Sequence, residues 1–232
     1  MALFFEAGTH SPQQAGSQGF TLIELIIAIV VMGILSIGIT QFLLNTSEAY
    51  DQTARRDRLG SGGRLVVEKM TREIRNALPN SVRVSASCIE FVPIAASSNY
   101  LSIPTASAAT SFDSIPFIQA PLVGRAAVYP FNSSDVYDLT ASSAIVSPLI
   151  TTASAALVST VAVSVAMASS HQFPADSPNK RWFMVDQPVS FCLTDGRVYR
   201  YGSYGYIASQ PATASAGLPS TVASGRALMA NN

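Results

Sequence analysis

The sequence predicts an α+β protein in which one long N-terminal helix packs on an antiparallel β-sheet with long loops. The first observation is an apolar stretch over residues 20–44, in which Glu24 is the only ionisable side chain. The second is a helical repeat of apolar residues that continues to Leu78 and ends before Pro79. The third is a set of short period-two runs after Pro79, two of which are joined by Asp195-Gly196.

Residues 20–44 are long enough to cross a membrane as a helix. At about 1.5 Å per residue this helix reaches roughly 37 Å, against a hydrocarbon core of ~30 Å. The stretch is apolar all round rather than along one stripe, which makes a core helix of a soluble protein the least favoured reading. Two alternatives stay open: a secretory signal peptide with a small-residue site at Ser47-Glu48-Ala49, and an uncleaved membrane anchor.

Residues 45–78 predict an amphipathic continuation of the same helix. Apolar residues recur mostly at spacings of three, four and seven, at Leu59, Val66, Met70, Ile74 and Leu78. The basic residues of this segment lie mostly on the other faces, which is typical of a solvated surface. The glycines within residues 60–63 predict a kink or a loosened turn, because each glycine costs up to about 1 kcal/mol relative to alanine.

The residues beyond Pro79 predict strands and loops. Alternating apolar residues between Val82 and Val92 predict a strand that ends at Pro93. Residues 95–156 are rich in Ala, Ser, Thr and Pro, and predict short strands and long loops, whereas Leu157–Met167 alternates as a half-buried strand does. Further strands are predicted at Trp182–Val185, Val189–Leu193 and Arg197–Tyr201, and the last two form a hairpin.

Composition and charge argue against several classes of function. The chain has 14 basic and 14 acidic residues and a formal net charge of zero, so no bulk field indicates nucleic acid as a partner. The cysteines, Cys88 and Cys192, are too far apart in the chain for a CxxC redox or zinc motif. The two histidines, His10 and His171, accompany no Gly-x-Ser-x-Gly motif. We therefore predict no catalytic activity, no metal site and no cofactor.

The residues Gly19-Phe20-Thr21-Leu22-Ile23-Glu24-Leu25, with the apolar stretch that follows them, resemble the signature of type IV prepilins. The resemblance implies cleavage between Gly19 and Phe20 by prepilin peptidase and N-methylation of the new amine of Phe20. It also implies that Glu24 guides assembly with other pilins. It divides the chain into a leader (1–19), a transmembrane helix (20–44), the amphipathic half of that helix (45–78) and a β-rich pilin head (79–232).

Further blocks resemble the minor pilins of the mannose-sensitive haemagglutinin (MSHA) pilus, the MshO family, within a broader group of J-type minor pseudopilins and W-type minor pilins. These blocks are Arg72–Val82, Cys88–Pro93, His171–Pro174, Arg181–Phe183, Val189–Cys192 and Gly196–Tyr201. The resemblance implies a type IV pilin fold and a structural minor pilin that acts in pilus initiation or tip assembly, with major and minor pilins as partners. A minor pseudopilin of type II secretion and a tip-displayed adhesive module are the alternatives. Relatives continue beyond the equivalent of Asn232, so we expect a head truncated at its C-terminus.

The resemblance also implies a location. The helix would cross the bacterial inner membrane once with the head in the periplasm, and assembly would bring the head to a pilus tip or the cell surface. A disulfide between Cys88 and Cys192 is chemically permitted in that oxidising environment. Both cysteines lie in strand-like runs, so we predict the disulfide, with two buried free thiols as the alternative.

The mature chain is expected to begin at Phe20. N-terminal sequencing of the protein from cells that contain prepilin peptidase should read FTLIEL, and cells that lack the peptidase supply the control. A start at Tyr50 would indicate an ordinary signal peptide, and an intact Met1 in both strains would indicate an uncleaved anchor. Either result would contradict the prediction.

Overall fold

The computed structural model describes residues 19–140, 144–211 and 217–230. In those residues it contains a long helix α1 (Leu22–Arg75), a short helix α2 (Ser133–Tyr137) and eleven β-strands. A long helix followed by antiparallel sheets confirms the predicted α+β class. The chain divides into two compact units, Met1–Arg56 and Asp57–Asn232. The predicted leader, residues 1–19, lies outside the described residues except for Gly19.

Helix α1 is shorter than predicted and is not interrupted by its glycines. It remains α-helical through residues 60–63, because the Ala, Arg, Leu and Glu residues on either side favour the helix enough to offset the glycines. It ends at Arg75 rather than Leu78. The reason is that the N–H of Leu78 donates to the carbonyl of Val92 at 2.8 Å, which draws Leu78 out of the helix and into the core.

The end of α1 packs on a five-stranded antiparallel sheet within the second unit. Met70 and Ile74 contact a cluster built on Phe91 and Phe191. Leu59, which the helical repeat placed on the same stripe, is 46 % exposed and therefore lies off this interface. The strands of this sheet, in spatial order, are β1 (Arg83–Ser85), β2 (Cys88–Phe91), β9 (Val189–Thr194), β10 (Arg197–Tyr201) and β11 (Arg226–Ala230).

The predicted hairpin is present between β9 and β10. Asp195 and Gly196 both have positive φ angles, of 51° and 70°, as a two-residue hairpin turn of type I′ requires. Arg200 of β10 also holds the helix, since its Nε donates to the Glu73 carboxylate at 2.9 Å. The hairpin and the helix end therefore pack against each other as two layers.

A second sheet of six strands combines two predicted strands, β7 and β8, with four strands from the segment for which the sequence predicted short strands and long loops. Its strands, in spatial order, are β6 (Val146–Leu149), β5 (Arg125–Ala127), β8 (Arg181–Val185), β3 (Ile94–Ser102), β4 (Ala109–Ser114) and β7 (Val163–His171). A bridge between Ile150 and Met167 joins the two ends of this sheet. The sheet therefore closes on itself, which leaves few unpaired edges.

The closed sheet has its own core. Trp182 is fully buried at its centre, and its ring lies edge-on to Phe112 with the centroids 5.1 Å apart. Its indole N–H donates to Ser114 Oγ at 2.8 Å, so the buried polar atom is satisfied. Burial alternates along β7 from Val163 to Met167, as predicted. Leu157 was expected at the start of this strand but lies instead in a 3₁₀ turn, Ser154–Leu157.

The closed sheet is an insertion between β2 and β9 of the first sheet. Its two ends lie side by side, because the N–H of Asp186 donates to the Pro93 carbonyl at 3.1 Å. Next to this junction β2 pairs with β9, and Cys88 lies opposite Cys192 and is joined to it by a disulfide. The disulfide thus closes the chain around the whole insertion.

A buried ion pair joins β2 to its other neighbour, β1, where Arg83 lies opposite Glu90. Glu90 is fully buried, and its carboxylate accepts from Arg83 Nε at 2.7 Å and from the Tyr204 hydroxyl at 2.9 Å. The other guanidinium nitrogens of Arg83 donate to the carbonyls of Ile207 and Ala208, both at 2.6 Å. Burial is the main cause that raises the pKa of Tyr204 above its ordinary value, and the charge of the Glu90 carboxylate raises it further. The Tyr204 hydroxyl therefore keeps its proton and stays a donor.

Removing the disulfide is expected to destabilise the head. The bond joins residues 104 positions apart, and closing a loop of that size stabilises by up to about 4–5 kcal/mol in the chain-entropy model. The C88S/C192S double variant should show this loss in urea denaturation followed by the fluorescence of Trp182, the single tryptophan.

Thiol labelling tests the bond itself. Alkylation of the unreduced, denatured chain should label no thiol, and the single variant Cys88→Ser should label one as the control. Two labelled thiols in the unsubstituted chain would contradict the disulfide.

Acidification is expected to destabilise the head through His171. The side chain is 6 % exposed, and burial lowers its pKa, more than its hydrogen bond with the Ala144 backbone raises it. Below a pH of about 6.5 the unfolded chain therefore binds a proton that the folded chain does not, and stability falls as the pH falls. His171→Gln should flatten the dependence of the unfolding free energy on pH between neutral and mildly acid conditions. An unchanged slope would assign the dependence to other groups.

Candidate functional site

The described part of the N-terminal segment begins with three residues outside the helix, Gly19, Phe20 and Thr21. Gly19 and Phe20 precede α1, and the Phe20 side chain is 77 % exposed. A Cβ added at Gly19 would meet no atom within 4 Å, so nothing in the described residues covers this peptide bond. Peptidases cut exposed backbone outside regular structure most readily. Among the described residues, the Gly19–Phe20 bond therefore lies outside regular structure, next to an exposed Phe20 side chain.

Thr21 sets the start of the helix. Its Oγ1 accepts from the backbone N–H of Glu24 at 3.4 Å, and its carbonyl accepts from the N–H of Leu25 at 3.2 Å. Thr21 and Glu24 stand three apart, the spacing of a capping box, in which the first residue satisfies an N–H that the first turn leaves free. Because the cap is the residue after Phe20, a chain cut before Phe20 keeps its helix start.

The helix from Leu22 to Leu44 has the surface of a membrane span. Its side chains are exposed along this length, apart from half-buried Ala28, and α1 is the one helix in the described residues long and apolar enough to cross a membrane. A soluble chain seldom leaves so many large apolar side chains in water. Hydrocarbon, or the apolar surface of other helices, is the environment that this surface fits.

The hydroxyl groups of this helix are satisfied within it. Ser36, Thr40 and Thr46 each donate to the carbonyl four residues earlier, at 2.7 Å in every case. An unsatisfied polar group in hydrocarbon costs several kcal/mol, so these internal bonds allow the hydroxyls to lie in the span. Glu24 differs, because its carboxylate has no ion-pair partner among the described residues.

Glu24 needs a partner in an apolar environment. It lies in the first turn of α1, where the free N–H groups of the helix favour a negative charge. The partial positive charge of the helix start is smaller than the full charge of a counter-ion. A carboxylate in hydrocarbon usually marks a functional ion pair. Cleavage before Phe20 would create an amine about one helical turn away, which supplies a full positive charge.

The predicted site residues fall into two groups. One group lies within six residues of the first unit and consists of Gly19, Phe20 and Glu24. The other group lies in the second unit, where Cys88 and Cys192 are bonded to each other. The described residues contain no cluster of three or more His, Cys, Asp or Glu side chains that would hold a metal ion. The sequence did not single out the buried Glu90, because a charged residue between two apolar ones reads as the solvated face of a strand.

Comparison with known proteins identifies one feature. Residues 15–40 match the family described as the prokaryotic N-terminal methylation motif. No curated protein matches the chain, and no solved structure does. The match covers the residues that carry the exposed Gly19–Phe20 bond, the Thr21 cap and Glu24.

Loss of the Thr21 cap is expected to loosen the helix start without affecting the rest of the span. Thr21→Ala removes the acceptor for the Glu24 N–H. Such a cap stabilises a helix start by about 1 kcal/mol, so its loss should raise the equilibrium constant for local opening roughly fivefold. Amide hydrogen exchange of the full chain in micelles should therefore accelerate at residues 23–25. Thr46→Ala is the matched control, because its hydroxyl donates to a carbonyl and accepts from no N–H. Equal exchange in the two variants would show that Thr21 is no cap.

Proposed function

We propose that this type IV pilin-like chain is a minor pilin, a structural subunit of an MSHA-type pilus that acts in initiation or tip assembly. The observation that carries the proposal is the N-terminal methylation motif at the head of a membrane-length helix. That motif supports a pilin- or pseudopilin-type protein, processed by prepilin peptidase and assembled with other pilins. The family that carries the motif is structural rather than enzymatic.

The minor-pilin assignment is supported by where the MSHA-like blocks lie. Arg72–Val82 forms the end of α1 and its exit, and Cys88–Pro93 contains β2. Val189–Cys192 and Gly196–Tyr201 form the hairpin strands β9 and β10. Four of the six blocks therefore lie at the helix end and in the sheet that packs on it, and the other two, His171–Pro174 and Arg181–Phe183, lie at β7 and β8 of the six-stranded sheet.

Assembly provides the driving force that the isolated chain lacks. Once the leader is removed, the apolar surface of residues 22–44 can exchange lipid for the helices of neighbouring pilins. The new amine of Phe20 and the Glu24 carboxylate supply the polar pairing. Desolvation cancels much of the attraction of such a pair, so it contributes register more than stability. We propose that in the membrane-inserted state the head lies on the periplasmic side.

The test of the proposal is where the processed protein goes. The chain should co-purify with sheared pili in a strain that makes them, and its deletion should lower pilus number while leaving secreted enzymes at their normal level. Loss of secretion with normal pili would instead assign the chain to a type II secretion pseudopilus. Normal pilus number with loss of attachment would assign it to adhesion.

Glu24→Ala is expected to separate membrane insertion from assembly. Removing the carboxylate makes the span easier to insert, so processed protein should reach the membrane in normal amount. The amount in sheared pili should fall, because the amine of Phe20 loses its partner. Glu48→Ala, four residues beyond the apolar stretch, is the matched control and should assemble normally. Equal incorporation of the Glu24→Ala chain would show that Glu24 has no role in register.

A further inference from the structure

A polar cleft opens where the six-stranded sheet closes. The seam between β6 and β7 is joined at one end, where Ile150 bridges Met167 and the Thr151 N–H donates to the Ala166 carbonyl at 2.8 Å. Next to this join the two strands separate around a cavity of about 350 Å³. Its lining residues are Arg125, Leu139, Val146, Ser147, Pro148, Ser169, Ser170 and His171. Small-molecule sites in proteins start at roughly this size.

Two irregular stretches of strand form the walls of the cleft. Residues 167–170 of β7 lie opposite Thr110 alone, and residues 147–148 of β6 lie opposite Ala126 alone. Extra residues of this kind bulge out of the ladder and re-aim their side chains, and they occur often beside binding sites. In this head the β7 bulge places the exposed side chains of Ser169 and Ser170 on the cleft. The Ser147 hydroxyl on the opposite wall is buried, accepts from the Ala126 N–H at 2.9 Å and donates to the Pro148 carbonyl at 2.7 Å.

Arg125 supplies the charge of the cleft. It is half-buried, and its Nη1 donates to the Ser147 carbonyl at 2.9 Å, which holds the guanidinium in place. No carboxylate of the described residues lies within ion-pair distance of it. A guanidinium has five N–H donors, and in the described residues only one of them has a hydrogen-bond partner. Its remaining donors suit an anion from outside the chain.

His171 adds no second charge. Burial lowers its pKa, so the ring is neutral at pH 7, and Arg125 is then the only charged group among the lining residues. One planar cation matches the charge and the geometry of one carboxylate better than those of a doubly charged phosphate. The serines suit the hydroxyl groups of the same ligand, and Leu139 with Pro148 offers apolar contact to its carbon skeleton.

We infer that this cleft binds a small hydroxylated monocarboxylate, whose carboxylate pairs with Arg125 and whose hydroxyls bond to Ser169 and Ser170 of the β7 bulge. Sugar acids, free or at the end of a longer chain, have this chemistry. The site is independent of the N-terminal motif, so the inference goes beyond pilus assembly and does not depend on it.

The experiment measures binding of D-glucuronate to the full chain in neutral detergent micelles by calorimetry. Saturable binding is expected, with D-glucose, which lacks the carboxylate, at least about tenfold weaker, because it loses a charge-assisted pair. Arg125→Gln should weaken glucuronate binding by a similar factor. The matched control is Arg181→Gln, an exposed residue of the same sheet outside the cleft, which should bind as the parent chain does.

A second variant keeps the test independent of folding. Ser169→Asp changes an exposed bulge residue and puts a negative charge at the cleft, so it should repel glucuronate while the Trp182 fluorescence stays native. The inference is overturned if glucuronate shows no saturable binding, if glucose binds as tightly, or if Arg125→Gln and Ser169→Asp bind glucuronate like the parent. Each of these results leaves the assembly role of the helix untouched.

Discussion

The antiparallel pairing of β2 with β9 is the constraint on which the head depends. One face of the pair presents Phe91 and Phe191 to the end of α1, and the other face presents the disulfide and Glu90. The same two strands are the entry to and the exit from the six-stranded insertion. If the pair separated, the helix would lose its packing surface and the insertion would lose its fixed ends. Among the described strands that pair with each other, β2 and β9 are the farthest apart in the chain, and the disulfide holds these two together.

The buried Glu90 gives this pairing its specificity at some cost in stability. Taking a carboxylate and a guanidinium out of water is expensive, and apolar residues of similar volume often pack as well or better. The pair instead fixes a geometry, because Arg83 bonds to the carboxylate through its Nε and to the Ile207 and Ala208 carbonyls through its other two nitrogens. The loop segment that contains Ile207 and Ala208 is thereby docked against β1. The polar network determines where that loop lies, and the aromatic clusters supply the stabilisation.

The sequence predicted the contiguous features and missed those that depend on distant residues. Each of the contiguous features depends only on residues that are neighbours in the sequence. They are the apolar helix, the motif around Gly19 and Phe20, and the Asp195-Gly196 turn. The six-stranded sheet is not, because β3 (Ile94–Ser102) has few large apolar residues and the bulges break its period of two. Closure through Ile150 and Met167 pairs strands that no local pattern relates. The cleft at Arg125 depends on that closure, so it too was invisible in the sequence.

The two units treat their polar groups in opposite ways, and this difference suits a subunit that leaves a membrane. In the span and just beyond it, the hydroxyls of Ser36, Thr40 and Thr46 bond to their own helix, so these bonds do not depend on whether lipid or other helices surround them. Glu24 is the exception, because its carboxylate has no ion-pair partner among the described residues. In the head, several buried polar groups bond to residues far away in the chain, as Glu90 does with Tyr204 and Trp182 with Ser114. In the proposed assembly, the carboxylate at the helix start is therefore the group whose pairing changes when the helix leaves lipid.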